Sequence, residues 1–270
     1  INGFPVVAQI DTILWQDCLG IEDGHNWTYA AENTDNGFLF GIALTENGLG
    51  VTDYHGKADA WIVNTDKFGN ILWERCYGGS EGDGPHKIIK IDDNNYYLLN
   101  DSWSHDGDVL NGREGTFWVV KIDPEGNILW ENSYGGSLYG EDVTDAILMP
   151  DKGLLMMGGI RSIGGDVTTH YGYMDVWLCR IDSVGNLLWQ KTIGNEGMDN
   201  GIKVKLTSED KILFVGYHEV TGGMIDCPDL GYYIYSDVWI VEMDMGGKII
   251  NQWCYGGKYP DGGFDIIEVE

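Results

Sequence analysis

One ten-residue phrase recurs along the 270-residue chain and limits its fold more than any other feature. ILWERCYGGS begins at Ile71 and ILWENSYGGS begins at Ile128, while weaker copies start at Ile13, Leu187 and Ile249. Internal repeats of a few tens of residues are typical of proteins built from copies of one supersecondary unit. The phrase therefore predicts a repeat protein.

Each repeat predicts four β-strands, and the second repeat shows them most clearly. Apolar and polar residues alternate in several of its four short runs, which cover residues 87–92, 96–101, 116–123 and 127–134. Alternation with a period of two, together with many valines and isoleucines, favours half-buried antiparallel strands. Turn residues separate the runs, and no helix is needed.

The turn between the third and fourth strands carries the most specific local pattern. It appears as DKFGN, DPEGN, DSVGN and DMGGK, with a glycine three residues after the aspartate. The aspartate can accept hydrogen bonds from the turn backbone, and glycine tolerates the left-handed conformation that ends a tight hairpin. We expect that conformation at Gly69, Gly126, Gly185 and Gly247. In the similar turn between the first two strands, the last position holds Gly37, Asn95 and Gly153.

Eight of the eleven tryptophans occupy two positions of the repeat. Four begin the third strand, namely Trp61, Trp118, Trp177 and Trp239. Four lie on the fourth strand, namely Trp15, Trp73, Trp130 and Trp189. A large flat ring at a fixed position in each unit suits packing between neighbouring sheets. A row of sugar-binding aromatic platforms is the alternative interpretation.

Four-stranded antiparallel units of this length, repeated in sequence, indicate a β-propeller. We predict one all-β domain over residues 1–270, a five-bladed β-propeller of four-stranded antiparallel blades. The repeat units are placed at about residues 20–77, 78–134, 135–193 and 194–255. The closing blade would join residues 256–270 to residues 1–19, so that both termini complete it, with three strands if the N-terminal residues do not supply the fourth.

The units resemble those of secreted or surface β-propeller proteins of bacteria, which follow the pattern GDV…HGG.D.WVVK.D..GNI.W…YGGS. The matching segments are GDVTTHYGYMDVWLCRIDSVGNLLW from Gly165 and HDGDVLNGREGTFWVVKIDPEGNILWENSYGGS from His105. Asn251 and Thr116 depart from the pattern. The resemblance implies the propeller fold and a location outside the cytoplasm, either extracellular, at the cell surface or in the periplasm. Because this group has no assigned activity, it implies no catalytic residues.

Charge and composition limit the partners. The chain has 43 acidic and 16 basic residues, a formal net charge of −27. Such a surface repels nucleic-acid phosphates and anionic lipids, and no apolar run reaches the roughly 18 residues that span a membrane. We expect a monomer that binds a carbohydrate or protein ligand, with no nucleic acid and no membrane insertion. Since the sequence starts at Ile1 with no signal segment, we also expect a mature or trimmed chain.

Five cysteines leave the redox compartment undecided. Cys18, Cys76 and Cys254 share one repeat position, and equivalent positions of different repeats are usually too far apart to form a disulfide. Cys179 lies in an apolar strand. Cys227, in a long loop, is the cysteine that we expect to be exposed.

The strand order predicts that every long loop lies on one face of the propeller, where binding residues usually occur. All six histidines map to that face, and the loop over residues 218–236 breaks the repeat most strongly. The candidate ligand-binding residues are His55, His105, His170, His218, Trp103, Tyr171, Tyr232, Tyr233 and Asp226. The alternative is that copied units simply copy their loops, whose Asp-Gly segments make turns.

Carboxylates on this face allow two further hypotheses. Asp106 and Asp108 flank a glycine, as in some calcium sites, so calcium is the one cofactor that the pattern suggests, although the rest of a calcium-binding loop is missing. Glycoside hydrolysis near the central channel is the alternative function, because it needs two carboxyl groups. Its candidate residues are Asp83, Asp142, Asp199 and Asp261. They recur with the repeat, which favours a binding protein without catalytic residues over an enzyme.

Overall fold

The computed structural model describes residues 27–34, 36–45, 51–112, 115–137, 140–219, 224–227 and 236–269. Within these ranges the chain forms sixteen β-strands and no helix. The described part accordingly contains no helix of the length and apolarity that crossing a membrane would require.

The strands form four sheets of four, which we number as blades in chain order. Blade 1 contains β1 (Trp27–Asn33), β2 (Gly37–Leu44), β3 (Asp59–Asp66) and β4 (Ile71–Tyr77). Blade 2 contains β5 (Asp83–Asp92), β6 (Asn95–Ser102), β7 (Thr116–Ile122) and β8 (Ile128–Tyr134). Blade 3 contains β9 (Asp142–Leu148), β10 (Leu154–Ile160), β11 (Asp175–Ile181) and β12 (Leu187–Ile193). Blade 4 contains β13 (Asn200–Leu206), β14 (Ile212–His218), β15 (Asp237–Met243) and β16 (Ile249–Tyr255).

Each blade is a simple antiparallel meander, and the blades follow one another through their first strands. Strand β1 contacts β5, β5 contacts β9, and β9 contacts β13. Successive four-stranded meanders with their first strands at the centre are the arrangement of a β-propeller. The predicted fold class is therefore confirmed.

The closing blade lies only partly within the described residues. Residues 1–19 are outside them, and the described residues 256–269 form no β-strand. Nevertheless, the Asp261 N–H donates to the Ser236 carbonyl at 2.6 Å, and the Ser208 N–H and hydroxyl donate to the Glu268 carboxylate at 2.9 and 2.8 Å. The C-terminal segment therefore runs beside blade 4, on the path that the first strand of a fifth blade would take.

The turns between the third and fourth strands follow the prediction. Asp123 Oδ1 accepts hydrogen bonds from the N–H groups of Glu125 and Asn127, and its Oδ2 accepts from the Asn127 amide. The backbone N–H bonds recur at Asp66, Asp182 and Asp244. The four predicted glycines have φ between 79° and 88°, in the left-handed region: Gly69, Gly126, Gly185 and Gly247.

The turns between the first and second strands differ from the prediction. The left-handed residue comes one position earlier, at Lys152 (φ 65°) and Asp210 (φ 57°), rather than at the last position of the turn. Glycine is needed at Gly37 and Gly153 for another reason. A Cβ there would lie 1.8 Å from the Thr65 carbonyl oxygen and 2.1 Å from the Ile181 carbonyl oxygen, respectively. These glycines allow the third strand of the blade to approach closely.

The tryptophans pack between blades, as predicted. Trp61, Trp118, Trp177 and Trp239 are among the largest fully buried side chains. On β4, the Trp73 indole N–H donates to the Pro124 carbonyl at 2.8 Å, and the Tyr77 hydroxyl donates to the Gly126 carbonyl at 2.6 Å. Strands β4 and β8 thus pack against the turn of the next blade, with Tyr134 bonding Gly185 in the same way. Trp15 lies outside the described residues.

Candidate functional site

In the loops between second and third strands, aspartates form hydrogen bonds with the connections between blades. The Gly78 N–H donates to Asp108 Oδ2 at 3.3 Å, while the Asp108 N–H donates to the Gly78 carbonyl at 2.9 Å. Asp166 makes the same two bonds with Gly135, at 3.1 and 2.9 Å. The GDV motif of the repeat therefore serves to fix one loop against another.

The two aspartates suggested for calcium already have partners in the protein. Asp106 Oδ1 accepts from the Ser80 N–H at 2.7 Å, and this bond holds its pKa below the ordinary range. Asp108 bonds the Gly78 backbone, and burial raises its pKa. Since each carboxylate has a structural partner, the geometry gives no independent support for a cation there.

A pair of buried carboxylates lies at the junction of blades 1 and 2. A Cβ added to Gly78 would lie 2.8 Å from Asp83 Oδ2 and 3.0 Å from Asp59 Oδ1, so both carboxylates converge on this glycine. Asp83 accepts hydrogen bonds from the hydroxyls of Ser102 and Ser104, at 2.5 and 2.7 Å. Burial raises the pKa of Asp59 to about 6, despite its bonds from the adjacent histidine.

The junction of blades 3 and 4 repeats this pair. A Cβ on Gly194 would lie 2.0 Å from Asp175 Oδ1 and 2.8 Å from Asp199 Oδ2. Both side chains are fully buried. Burial, reinforced by the negative charge of Asp175, raises the pKa of Asp199 to about 7. Like charges at such a site disfavour ionisation of both groups together.

Two predicted ligand-binding histidines lie beside these carboxylates. His55 Nδ1 is 3.1 Å from Asp59 Oδ2, and His170 Nε2 is 3.3 Å from Asp175 Oδ2. A hydrogen bond or ion pair to a buried aspartate gives each imidazole a structural role. At the junction of blades 2 and 3, Thr116 stands at the position that Asp59 and Asp175 occupy in their blades.

The other predicted ligand-binding residues do not form one cluster. His105 is exposed, and its Nδ1 donates to the Gly112 carbonyl at 2.9 Å, whereas His218 is buried. Tyr171 and Asp226 are exposed. Tyr232 and Tyr233 lie outside the described residues, and Trp103 lines the cleft described below.

The four carboxylates of the hydrolase hypothesis have different environments. Asp83 and Asp199 are buried, Asp261 is exposed, and Asp142 is exposed and bonded to Arg161 Nη2 at 2.6 Å. The side chain equivalent to Asp83 in blade 3 is Glu141, one residue before the predicted position. The Glu141 backbone N–H donates to the Gly115 carbonyl of the preceding blade at 2.7 Å. The backbone N–H groups of Asp83 and Asp199 make the equivalent bonds at their own blade junctions.

A charged network that the sequence patterns did not indicate joins the first strands of three blades. The Lys87 ammonium donates to Asp145 Oδ1 at 2.6 Å, and the Lys203 ammonium lies 3.3 Å from Asp145 Oδ2. Asp145 is buried, so the two half-buried cations compensate its charge. This network stabilises the contact between β5, β9 and β13, and its polar groups are mutually satisfied.

A cleft of about 320 Å³ lies on the loop face, at the junction of blades 1 and 2. Its lining includes His86, Asp101 and Trp103, together with buried Asp83. His86 Nε2 lies 3.1 Å from Asp101 Oδ1, and Trp103 is 43% exposed. The cleft therefore combines a hydrogen-bonding pair with an exposed indole ring.

Trp103 is held at both its backbone and its ring. Its N–H donates to the Gly82 carbonyl at 3.0 Å. A Cβ added to Gly140 would lie 2.5 Å from the Trp103 ring, so the glycine allows the indole to rest on the backbone of the next blade connection. The sequence predicted Trp103 as a binding residue but did not pair it with Asp101, two residues earlier in the chain.

Comparisons with known proteins give a fold likeness and no family. No family model matches the chain, and no curated protein matches it. The solved structures it resembles include Kuenenia stuttgartiensis hydrazine synthase, at 18% identity and a TM-score of 0.47 over 82% of this chain and 53% of that one. They also include BamB from Moraxella catarrhalis, at 12% identity and a TM-score of 0.39 over 85% of this chain and 77% of that one. The chain thus spans about half the length of the hydrazine synthase chain.

Proposed function

We propose that this β-propeller is an extracytoplasmic binding module for a neutral carbohydrate, and that the cleft of His86, Asp101 and Trp103 is its binding site. The observation that carries the proposal is the exposed indole of Trp103 beside the His86–Asp101 pair. Ligand sites commonly combine a concave apolar surface with a few polar groups that fix orientation.

The chemistry of the cleft suits a sugar. The flat indole offers an apolar surface for the C–H face of a pyranose ring, while imidazole and carboxylate groups can bond its hydroxyls. A volume of about 320 Å³ is near the lower end of the range for small-molecule sites, which suits a short saccharide or one end of a longer chain. The net charge of −27 disfavours an acidic glycan.

The proposed location outside the cytoplasm is supported by the disulfide between Cys227 and Cys254. Disulfides persist mainly in oxidising compartments. Cys227, the cysteine expected to be exposed, is half-buried and bonded to Cys254, whereas Cys76 and Cys179 are buried.

A glycan array followed by calorimetry on the best ligand tests the proposal. Trp103→Ala should weaken binding about tenfold, because the loss of one ring contact of this kind removes about 1.4 kcal/mol. Trp253→Ala is the matched control, since Trp253 is 40% exposed on an outer strand and should leave affinity unchanged. Adding calcium or a chelator to the same titration tests the calcium hypothesis.

The possible outcomes test the proposed binding site and the proposed ligand class separately. Binding that survives Trp103→Ala would place the ligand elsewhere on the propeller. An array without any glycan ligand, together with capture of a defined protein partner, would replace carbohydrate by the protein ligand that the sequence also allowed. Release of a shortened glycan during incubation would favour the glycoside hydrolase alternative.

A further inference from the structure

Blade 4 brings together three soft-metal donors that no other described blade possesses. A ring nitrogen of His218 and the sulfurs of Cys227 and Cys254 all lie within 4.8 Å of one another. They come from three separate elements, since His218 ends β14, Cys254 lies on β16, and Cys227 lies in the loop between β14 and β15. Cys227 and Cys254 are joined as a disulfide.

Comparison of the four described blades shows that the histidine of this cluster occurs at its strand position in blade 4 alone. The residues at the end of the second strand that correspond to His218 are Leu44, Ser102 and Ile160, which occupy the same place in the strand pairing. A copied unit reproduces its packing residues, so a donor that is present in one blade alone is not explained by repetition.

The surroundings hold the donors in place and keep them largely away from water. The His218 ring packs edge to face on Trp239, with ring centroids 6.1 Å apart, and His218 is 2% exposed. Cys227, Cys254 and Met224 pack against the apolar core shared by blades 3 and 4.

Two thiolates and one imidazole are a donor set that favours zinc. Three protein ligands leave one position of a tetrahedral site for water or an external ligand. Asp237 lies opposite His218 in the strand pairing, where its carboxylate adds a negative charge near a bound cation. The net charge of −27 attracts cations to the same surface.

We propose that the reduced protein binds one zinc ion through Cys227, Cys254 and His218, and that the disulfide is the metal-free form of this site. A dithiol reductant would break the S–S bond by supplying two electrons and two protons, and would itself become a disulfide. Zinc binding would then release the two thiol protons to solvent, because thiolates are the ligands. The site is separate from the carbohydrate cleft and does not depend on it.

Zinc titration of the whole chain, before and after reduction and removal of the reductant under anaerobic conditions, tests the proposal. Bound zinc is measured by elemental analysis after gel filtration. Reduced wild-type protein should retain one equivalent, and the oxidised protein should retain none. Cys227→Ser and Cys254→Ser should abolish retention. Cys76→Ser is the matched control, because Cys76 occupies the same repeat position as Cys254 in a blade without the other donors.

The histidine is tested separately. His218→Gln should weaken zinc binding at least tenfold, and X-ray absorption of the zinc-loaded wild-type protein should show two sulfur ligands and one imidazole, which keeps the test valid if the variant misfolds. Equal zinc retention by reduced wild-type protein and the Cys227→Ser variant would overturn the proposal and leave a structural disulfide only. A spectrum without imidazole would also overturn it.

Discussion

On the hairpin face of the propeller, the turns between third and fourth strands share one pattern of hydrogen bonds, whereas on the loop face the described blade junctions do not all carry the same polar groups. Asp66, Asp123, Asp182 and Asp244 all accept from the same two backbone positions of their turns. Across the molecule, the junctions differ: Asp59 and Asp83 meet at one, and Thr116 and Glu141 at another.

This difference separates the residues that build the scaffold from those that are available for function. The turns at Gly126, Gly185 and Gly247 each receive a tryptophan from the preceding blade, and the first two also accept a tyrosine hydroxyl, so a change there alters an interface between blades. Loops on a rigid scaffold can vary without such a cost. We therefore expect substitutions of the packed, repeated positions to affect stability, and substitutions in the cleft to affect binding.

The largest effect is expected at the tryptophan layer between blades. Trp177 is fully buried, packs against Phe117 with centroids 5.1 Å apart, and donates to Gln190 Oε1 at 2.9 Å. Trp177→Ala should lower the free energy of unfolding by about 3–5 kcal/mol, measured by urea denaturation. Trp253→Ala, which removes an exposed ring, should cost less than about 1 kcal/mol. Equal losses for both variants would contradict the assigned packing.

A medium effect is expected in the turns of the hairpin face. Gly185 has φ 88°, and a Cβ there would lie 3.2 Å from the Trp130 ring. Gly185→Ala should therefore cost about 1–3 kcal/mol through backbone strain and crowding. Gly82→Ala is the control on the loop face, because a Cβ at Gly82 meets no atom within 4 Å. Thermal denaturation of the two variants measures the contrast, and a destabilised Gly82→Ala variant with an unaffected Gly185→Ala variant would reverse it.

The smallest effect is a pH dependence that arises on the loop face. The folded protein holds the Asp199 pKa at about 7, above its ordinary value of 3.8, so it binds this proton more tightly than the unfolded chain does. Stability should consequently fall as pH rises from about 4 to about 7. Asp199→Asn should remove part of that fall and stabilise the protein at pH 8 by about 1–2 kcal/mol.

Urea denaturation at pH 5 and pH 8 measures this dependence. Asp93→Asn is the control, because the Asp93 side chain is 77% exposed and paired with Lys90 at the surface. It should leave the difference between the two pH values unchanged. A wild-type protein that becomes more stable between pH 5 and pH 8, with the same trend in Asp199→Asn, would show that Asp199 is ionised in the folded state.

Much of the scaffold follows from local sequence patterns. The Asp-x-x-Gly turns predict four left-handed glycines, because the geometry of the turn alone requires that conformation. The spacing of the tryptophans predicts their packing because a periodic sequence places each ring in an equivalent environment. The same local logic misplaces the left-handed residue of the first hairpin, where Gly153 is required by the approach of a neighbouring strand instead.

The site is less predictable because its contacts join distant parts of the chain. His55 and His170 look like open loop residues, yet each lies beside a buried aspartate at the start of the third strand. In the third blade, Glu141 and not Asp142 takes the position of Asp83. The connection that leads to it is one residue longer, and only the hydrogen bond across the blade junction shows which carboxyl group corresponds to Asp83. His86 and Asp101 come together only through the pairing of β5 with β6.

By itself, the sequence determined that this protein is built from four-stranded antiparallel units, with tryptophans between them and polar loops on one face. These properties depend on residues close together in the chain, where turn chemistry and alternation act directly. Tertiary structure alone decided that Asp175 meets Asp199, that Trp103 flanks the His86–Asp101 pair, and that His218 meets Cys227 and Cys254. Those contacts depend on how the blades and strands pack, which no local pattern specifies.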